Sequence, residues 1–185
     1  MPFKSNRNRR AKKQSRPVQL AVIVAAVAAA VFAWGRPDVP AEAVKDDALQ
    51  CTVSSVHDGD SMRARCPGHR DSVRVRIDQI DAPELDQKHG IASRDVLRQL
   101  CPTGEPVQLY VMGKDQYERL LADVSCNGKD VATTMVTLGA AWVYTKYVRD
   151  DGLLKQQKQA QASRAGIWND NDPTAPWQFR QAQRQ

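Results

Sequence analysis

Residues 73–84, with the sequence VRVRIDQIDAPE, carry more charge than a strand needs for its own stability. Two carboxylates, Asp81 and Glu84, lie at the end of this stretch, and Arg76 precedes Asp81 by five positions. A guanidinium group can bind a phosphate through two parallel hydrogen bonds, whereas a carboxylate can bind a cation or accept a proton. These residue types suit chemistry on a phosphate ester, and a solvated strand face with a surface ion pair is the alternative interpretation.

A single strand has to position these groups. Apolar and polar residues alternate over 73–78, which predicts a strand with one buried face and with Arg76 on the open face. Asp81 would lie on the opposite face of a regular strand, so the two side chains can converge only if the chain bends or bulges near Gln79. Pro83 lacks an N–H group and therefore favours an exit from the sheet at this point.

A hairpin is predicted before this strand. Strand-like runs at 51–57 and 61–66 flank Asp58 and Gly59, a dipeptide that favours a tight two-residue turn. A turn of this length fixes which residues of the two strands lie opposite each other.

The register of this hairpin also pairs the cysteines. Cys51 lies opposite Cys66, and such partners are about 5.5 Å apart between Cα atoms, a separation that a disulfide accepts. The chain has four cysteines, so Cys101 and Cys126 form the second predicted bridge. A zinc site would have only Cys66 and His69 at a suitable spacing, without a second such pair, so disulfides are favoured.

Three helices and two further strands are predicted from periodicity and from capping residues. The helices cover about 91–101, 131–138 and 153–165, and the strands cover 107–111 and 120–126. Five short strands with a helix between the third and the fourth predict a mainly β fold with helices. The expected architecture is a β-barrel of the OB-fold type, with about five strands plus three helices.

The net charge of +6 comes from the N-terminus. Residues 1–17 contain seven lysines and arginines and no acidic residue, so the remainder of the chain is slightly acidic. The basic composition is therefore no evidence that the folded part binds nucleic acid, and a nuclease interpretation has to depend on local groups.

An apolar run follows the basic segment. Residues 18–35 are apolar except for Gln19 and would span about 27 Å as a helix, just enough to cross a bilayer. The positive charge before the run predicts an N-terminus in the cytoplasm and a domain on the outer, periplasmic side. The run is either a retained membrane anchor or a signal-peptide core whose removal would leave a periplasmic or secreted protein.

These patterns divide the chain into five segments. Residues 36–49 are rich in Pro, Ala and acidic residues without periodicity, which is typical of a linker. The segments are a basic cytoplasmic region (1–17), the transmembrane anchor or signal-peptide core (18–35), the linker (36–49), the folded domain (50–170) and a C-terminal tail (171–185).

Several motifs of the folded part occur together in one order along the chain. They are His57-Asp58-Gly59-Asp60-Ser61, residues 73–84, Asp115-Gln116-Tyr117-Glu118-Arg119-Leu120-Leu121-Ala122, residues 139–144, Gly166-Ile167-Trp168 and Pro176-Trp177-Gln178-Phe179-Arg180. In this combination the chain resembles the thermonucleases of the staphylococcal nuclease type, and the last two motifs are similar to the end of exported bacterial members. The resemblance covers roughly residues 50–180.

The resemblance implies a calcium site. Asp60 and Asp81 match the calcium-binding carboxylates of the family, and Ala82 lies where the family supplies a backbone carbonyl oxygen. Hard oxygen ligands of this kind suit calcium.

The resemblance also implies a catalytic set. Arg76 and Arg119 match the two guanidinium groups that bind the scissile phosphate, and Glu84 matches the carboxylate that activates or orients the attacking water. Glu118 replaces a glycine that is usual in the family and adds a carboxylate close to the phosphate site. Tyr117 is interpreted as a core residue, with stacking on a nucleotide base as the alternative.

The resemblance thus implies a calcium-dependent nuclease that hydrolyses phosphodiester bonds of DNA, RNA or both, with little sequence preference and 3′-phosphate products. The alternative is a catalytically inactive nuclease-like module that binds nucleic acid or protein and is tethered to the membrane. Three carboxylates argue against that alternative, because a binding groove needs only positive charge. The expected partners are the nucleic acid substrate and the membrane, and the sequence indicates no protein partner.

Overall fold

The fold is built on strands in which buried and exposed residues alternate. The structure, a computed structural model, describes residues 48–149 and 151–185. In these residues the strands are β1 (Leu49–Val56), β2 (Ser61–Arg65), β3 (Val73–Ile77), β4 (Ile80–Asp81), β5 (Pro106–Lys114), β6 (Leu120–Cys126), β7 (Lys129–Asp130) and β8 (Trp142–Val143). The helices are α1 (Gly90–Leu100), α2 (Val131–Thr137), α3 (Asp151–Ala162) and α4 (Pro176–Ala182), with a 3-10 turn at Gly166–Asn169.

Five of the strands close into a barrel. They are hydrogen-bonded in the order β3-β2-β1-β5-β6, and β3 closes the ring by pairing with β6 in parallel. Fully buried side chains such as Met62, Ile77 and Leu109 from the barrel strands form one core with Leu97 of α1. The structure therefore confirms the predicted fold class, an OB-type barrel with helices, and it adds the short strands β4, β7 and β8 and the helix α4.

The connection between β1 and β2 is not the predicted two-residue turn. β1 contains a bulge, and four residues, 57–60, link the two strands. The prediction at Asp58 and Gly59 is wrong because Gly59 does not have the positive φ angle that such a turn requires. A Cβ atom at Gly59 would lie 1.9 Å from Ser93 Oγ of α1 and 2.7 Å from Ala82 Cβ. Glycine is needed here for close packing.

Both predicted disulfides are present. Cys51–Cys66 joins β1 to the residue after β2, with 4.4 Å between the Cα atoms. Cys101–Cys126 joins the residue after α1 to the end of β6, with 5.4 Å between the Cα atoms. The bulge lies farther along β1 than the first bridge, so the register at the cysteines is the predicted one.

The chain bends after β3, as the sequence predicted. Gln79 has a φ angle of 65°, in the left-handed region, and it separates β3 from β4. The backbone N–H of Tyr144 donates to the Gln79 carbonyl at 2.8 Å, and the N–H of Arg149 donates to the Gln79 side-chain oxygen at 2.9 Å. These hydrogen bonds hold the bend that brings Asp81 back to Arg76.

The C-terminal residues form a helix that the sequence did not predict. α4 lies within 171–185, for which the sequence predicted only a tail. Trp177 in its first turn makes an edge contact with Trp142 and stacks on Tyr144, with centroid separations of 5.6 and 5.8 Å. Pro176 is buried beside it. Aromatic packing thus holds α4 against the segment that contains β8.

The predicted membrane segment, residues 18–35, lies outside the described residues. Within 48–149 and 151–185, none of the helices combines the length and the apolar character that a membrane crossing needs. The expectations for residues 1–35 therefore stay predictions.

Removal of the Cys101–Cys126 bridge should destabilise the protein more than removal of Cys51–Cys66. The bridges span sequence separations of 25 and 15 residues, and the loop-entropy argument gives about 3.5 and about 3 kcal/mol. Cys101 and Cys126 are also the more deeply buried pair. Urea unfolding of the two double Cys→Ala variants would measure both losses, and a larger loss for the Cys51/Cys66 variant would contradict this expectation.

Candidate active site

The six predicted site residues all line one cleft with a volume of about 760 Å³. The cleft lies where the β1–β2 connection, the exit from β3, the β5–β6 loop and α4 meet. The six residues are Asp60, Arg76, Asp81, Ala82, Glu84 and Arg119. The fold therefore brings together carboxylates and guanidinium groups from separate stretches of the sequence.

Arg76 is the centre of the cluster. Its Nη2 atom lies 3.1 Å from Asp81 Oδ1 and 3.2 Å from Asp60 Oδ2, and its Nη1 donates to the Ile77 carbonyl at 2.7 Å. The exposed fractions of the Arg76, Asp60 and Asp81 side chains are only 13%, 10% and 3%. Buried ions are favourable only in a well-fixed geometry, so the strand and the bend have to hold these groups firmly.

The charge of the buried Asp60 carboxylate is not fully compensated by its neighbours. Its Oδ2 accepts a hydrogen bond from the Ala82 N–H at 2.7 Å, and its own N–H donates to Asp58 Oδ1 at 3.0 Å. Burial raises the pKa of Asp60 to about 7, against the lowering effect of Arg76, and the carboxylates of Asp58 and Asp81 add to the increase. The ion pair with Arg76 therefore does not compensate for the removal of Asp60 from water.

The carboxylate pair fits a hard divalent cation such as Ca²⁺. Asp60 and Asp81 offer oxygen ligands, and the raised pKa of Asp60 indicates that additional positive charge would be favourable there. In the part of the chain that the structure describes, no three His, Cys, Asp or Glu side chains are grouped as a complete metal site. Asp60, Asp81 and the Ala82 carbonyl would thus be only part of a shell of about six to eight oxygens.

Asp115 organises the loop that carries Arg119. Its carboxylate accepts hydrogen bonds from the N–H groups of Tyr117 and Arg119, at 2.9 and 3.0 Å, and from Arg119 Nε at 2.7 Å. Burial acts to raise the pKa of Asp115, but the hydrogen bonds from Arg119 and Tyr117 lower it below its ordinary value. The guanidinium group of Arg119 is thus held at Nε, which leaves its terminal nitrogens for a phosphate.

Tyr117 lies at the surface, so the prediction that it is a core residue was wrong. It is 58% exposed and lines the cleft, and the guanidinium carbon of Arg119 lies 5.6 Å from its ring centroid. Its backbone carbonyl accepts a hydrogen bond from Arg74 at 2.5 Å. An exposed ring on a held backbone suits the alternative interpretation, stacking on a nucleotide base.

Glu118 does not line the cleft, contrary to the expectation that its carboxylate would lie close to the phosphate site. The Glu118 side chain is 73% exposed and pairs with Lys114 at 2.8 Å. Its φ angle is 60°, in the region that favours glycine. The backbone therefore keeps the shape that the more usual glycine would adopt.

Glu84 is bound by Arg180, a residue for which the sequence predicted no role. Arg180 of α4 donates from Nη1 to Glu84 Oε1 at 2.8 Å and to Asp81 Oδ1 at 3.2 Å, and from Nη2 to Asp81 Oδ2 at 2.8 Å. The hydrogen bond to Asp81 is the main reason that the pKa of Arg180 rises above its ordinary value. The motif at 176–180 was the one sequence signal for this residue.

The fold and the cleft together define a class of protein. The chain is an OB-fold protein whose site, with buried carboxylates beside guanidinium groups, suits a phosphate ester. The chain belongs to the staphylococcal nuclease homologue family, whose model matches residues 74–170.

Similar proteins carry nuclease names. An "Uncharacterized endonuclease" of Haemophilus influenzae is 37% identical over 134 residues, which cover 72% of this chain and 74% of that protein. A protein of the same name from Escherichia coli O157:H7 is 38% identical over 129 residues, 69% of this chain and 82% of that one. The "Staphylococcal-like nuclease CAN1" of Arabidopsis thaliana is 33% identical over 111 residues, 60% and 34% of the two chains. Family and names together support a nuclease, a hydrolase that acts on nucleic acid.

Glu118→Gly should give a more stable protein than Glu118→Ala. Both substitutions remove the ion pair with Lys114, so they differ only in the Cβ atom at a φ angle of 60°. The left-handed conformation costs a residue with a Cβ atom about 1 kcal/mol, and glycine avoids most of this cost. Urea unfolding of the two variants would measure the difference. Equal stabilities would mean that the backbone at position 118 relaxes.

Proposed function

We propose that the protein is a calcium-dependent nuclease that hydrolyses phosphodiester bonds of DNA, RNA or both with little sequence preference. The observation that carries the proposal is the cleft in which Asp60, Arg76, Asp81, Glu84 and Arg119 come together. Membership of the staphylococcal nuclease homologue family supports a nucleic acid as the substrate. The pair of buried carboxylates supports calcium as the metal ion.

Two guanidinium groups would stabilise the reacting phosphate. Negative charge builds up on the phosphoryl oxygens as water attacks, and groups that are fixed in advance stabilise this charge without reorganisation. Arg76 is fixed by two carboxylates and Arg119 by the carboxylate of Asp115. A calcium ion at Asp60 and Asp81 would supply Lewis-acid stabilisation of the same charge.

Glu84 is the proposed general base. Its side chain is 35% exposed, so water can reach it. Arg180 binds its Oε1 atom, whereas Oε2 accepts no hydrogen bond from any residue within 48–149 and 151–185. The free oxygen can therefore accept the proton of the attacking water.

We also propose that the protein acts outside the cytoplasm, either on a membrane anchor formed by residues 18–35 or free in the periplasm after cleavage. Two disulfides support this, because such bonds persist in oxidising compartments. Mass spectrometry of the mature N-terminus would distinguish the anchored from the cleaved form.

The purified full chain should degrade single-stranded DNA in calcium and lose this activity in a calcium-selective chelator. Magnesium should not restore it, because this smaller ion demands near-octahedral geometry. Asp60→Ala should weaken calcium binding measured by calorimetry. Glu84→Gln should largely keep calcium binding but lower turnover by about 10²- to 10⁴-fold, because only the base is lost. A wild-type protein that binds DNA without cutting it at any calcium concentration would instead be the inactive binding module.

Arg76→Lys and Arg119→Lys should each lower kcat by about 10²-fold and change KM much less. Lysine keeps the positive charge but lacks the planar fork that can bind two phosphoryl oxygens. Arg65→Lys, on the exposed face of β2, is a matched control that should behave like the wild type. Near-normal turnover in either cleft variant would mean that charge alone is enough at that position.

A further inference from the structure

The guanidinium group of Arg180 connects the two carboxylates with the most important proposed roles. It binds both oxygens of Asp81 and one oxygen of Glu84, with separations of 2.8 to 3.2 Å. Asp81 is a proposed cation ligand and Glu84 is the proposed base. One side chain from the C-terminal helix is therefore in direct contact with both parts of the site.

Other contacts hold the C-terminal segment in place without Arg180. The Gln87 side chain donates to the Thr174 carbonyl at 2.8 Å, and the Gln183 side chain donates to Asp86 at 3.0 Å. Trp177 packs on the rings of Trp142 and Tyr144. The two hydrogen bonds are to Asp86 and Gln87, in the loop that follows Glu84, so α4 and this loop should stay associated when Arg180 is replaced.

We propose that Arg180 is a positioning residue that holds Glu84 in the orientation needed to accept a proton and supplies a resident counter-charge to Asp81. The proposal rests on the nuclease function proposed above. The contacts support positioning rather than inhibition, because Arg180 binds Oε1 of Glu84 and leaves Oε2 without a bonded donor among the described residues. A fork that bridges two carboxylates also fixes their separation, which a single point charge does not do.

This arrangement predicts opposite effects on calcium binding and on turnover. Arg180→Gln removes a positive charge that touches Asp81, so calcium should bind more tightly, by about three- to ten-fold. The same change releases Glu84, so kcat should fall by about ten-fold while KM changes less than about two-fold. Arg180→Lys keeps the charge without the fork, so its calcium affinity should be near that of the wild type and its kcat should be intermediate.

The test uses the full chain, with calorimetry for calcium and steady-state kinetics on single-stranded DNA. Arg65→Gln removes one positive charge from an exposed position of β2 and is the control, expected to match the wild type. Tighter calcium binding together with lower kcat in Arg180→Gln would support the proposal. Weaker calcium binding with lower kcat would indicate a merely structural role, a kcat at or above the wild-type value would indicate inhibition, and a raised KM would indicate contact with the substrate. Each of these three results would overturn the proposal.

A third measurement separates this proposal from the nuclease function. The Gln87 N–H donates to the Glu84 carbonyl at 2.9 Å, so its hydrogen exchange reports on the loop that carries Glu84 and can be measured without added calcium. Exchange of this amide should be faster in Arg180→Gln than in the wild type and the Arg65→Gln control. If the wild type cuts no nucleic acid, the proposed function fails, while faster exchange would still support positioning. Unchanged exchange would overturn the positioning role whatever the activity.

Discussion

The contact of Arg76 with two buried carboxylates is the interaction on which the rest of the site depends. Two carboxylates side by side away from water repel each other, and the guanidinium group of Arg76, held between them, offsets part of this repulsion. The backbone on both sides is therefore fixed: β3 is hydrogen-bonded to β2 on one edge and to β6 on the other, and the Ile77 N–H donates to the Asp60 carbonyl at 2.9 Å. Closure of the barrel is thus a condition for the site as well as for the core.

Two glycines, Gly59 and Gly90, allow the segments around the site to pack closely, because they have no side chain. A Cβ atom at Gly59 would collide with Ser93 and Ala82, and one at Gly90 would lie 1.8 Å from the Glu84 carbonyl oxygen. Gly59 thus packs against Ala82 and α1, and Gly90 packs against the backbone of the loop between them. A side chain at either position would displace these neighbours, and at Gly90 the displaced atoms are the backbone of Glu84 itself.

Patterns of neighbouring residues predicted the features that depend on the local chain, and they did not predict contacts between residues that are far apart in the sequence. Alternation predicted β3, and the required convergence of two charges predicted the bend at Gln79. The turn at Gly59 was predicted wrongly because glycine is common both in turns and at sites of close packing, and here α1, a later element, decides between them. Arg180 is 96 positions from Glu84, so no periodicity connects the two residues, and only the folded chain shows their contact. The residue type at position 118 does not indicate its conformation, because a positive φ angle opposes the ordinary preference of glutamate; the glycine usual at this position in the family was the available signal.

The cleft carries as many acidic as basic side chains among the described residues, but they are unevenly distributed. Its acidic lining residues are Asp58, Asp60, Asp78, Asp81, Glu84 and Asp115, and its basic ones are Arg76, Lys114, Arg119, Lys146, Arg180 and Arg184. Around Arg76 and Arg180 the carboxylates are in excess, so a phosphate that approaches there is repelled unless positive charge is added. A cation at Asp60 and Asp81 would reverse this balance, and the remaining basic side chains would then suit a polyanion. In the proposed function, a folded part that is nearly neutral overall therefore takes nucleic acid through a local attraction that depends on the cation.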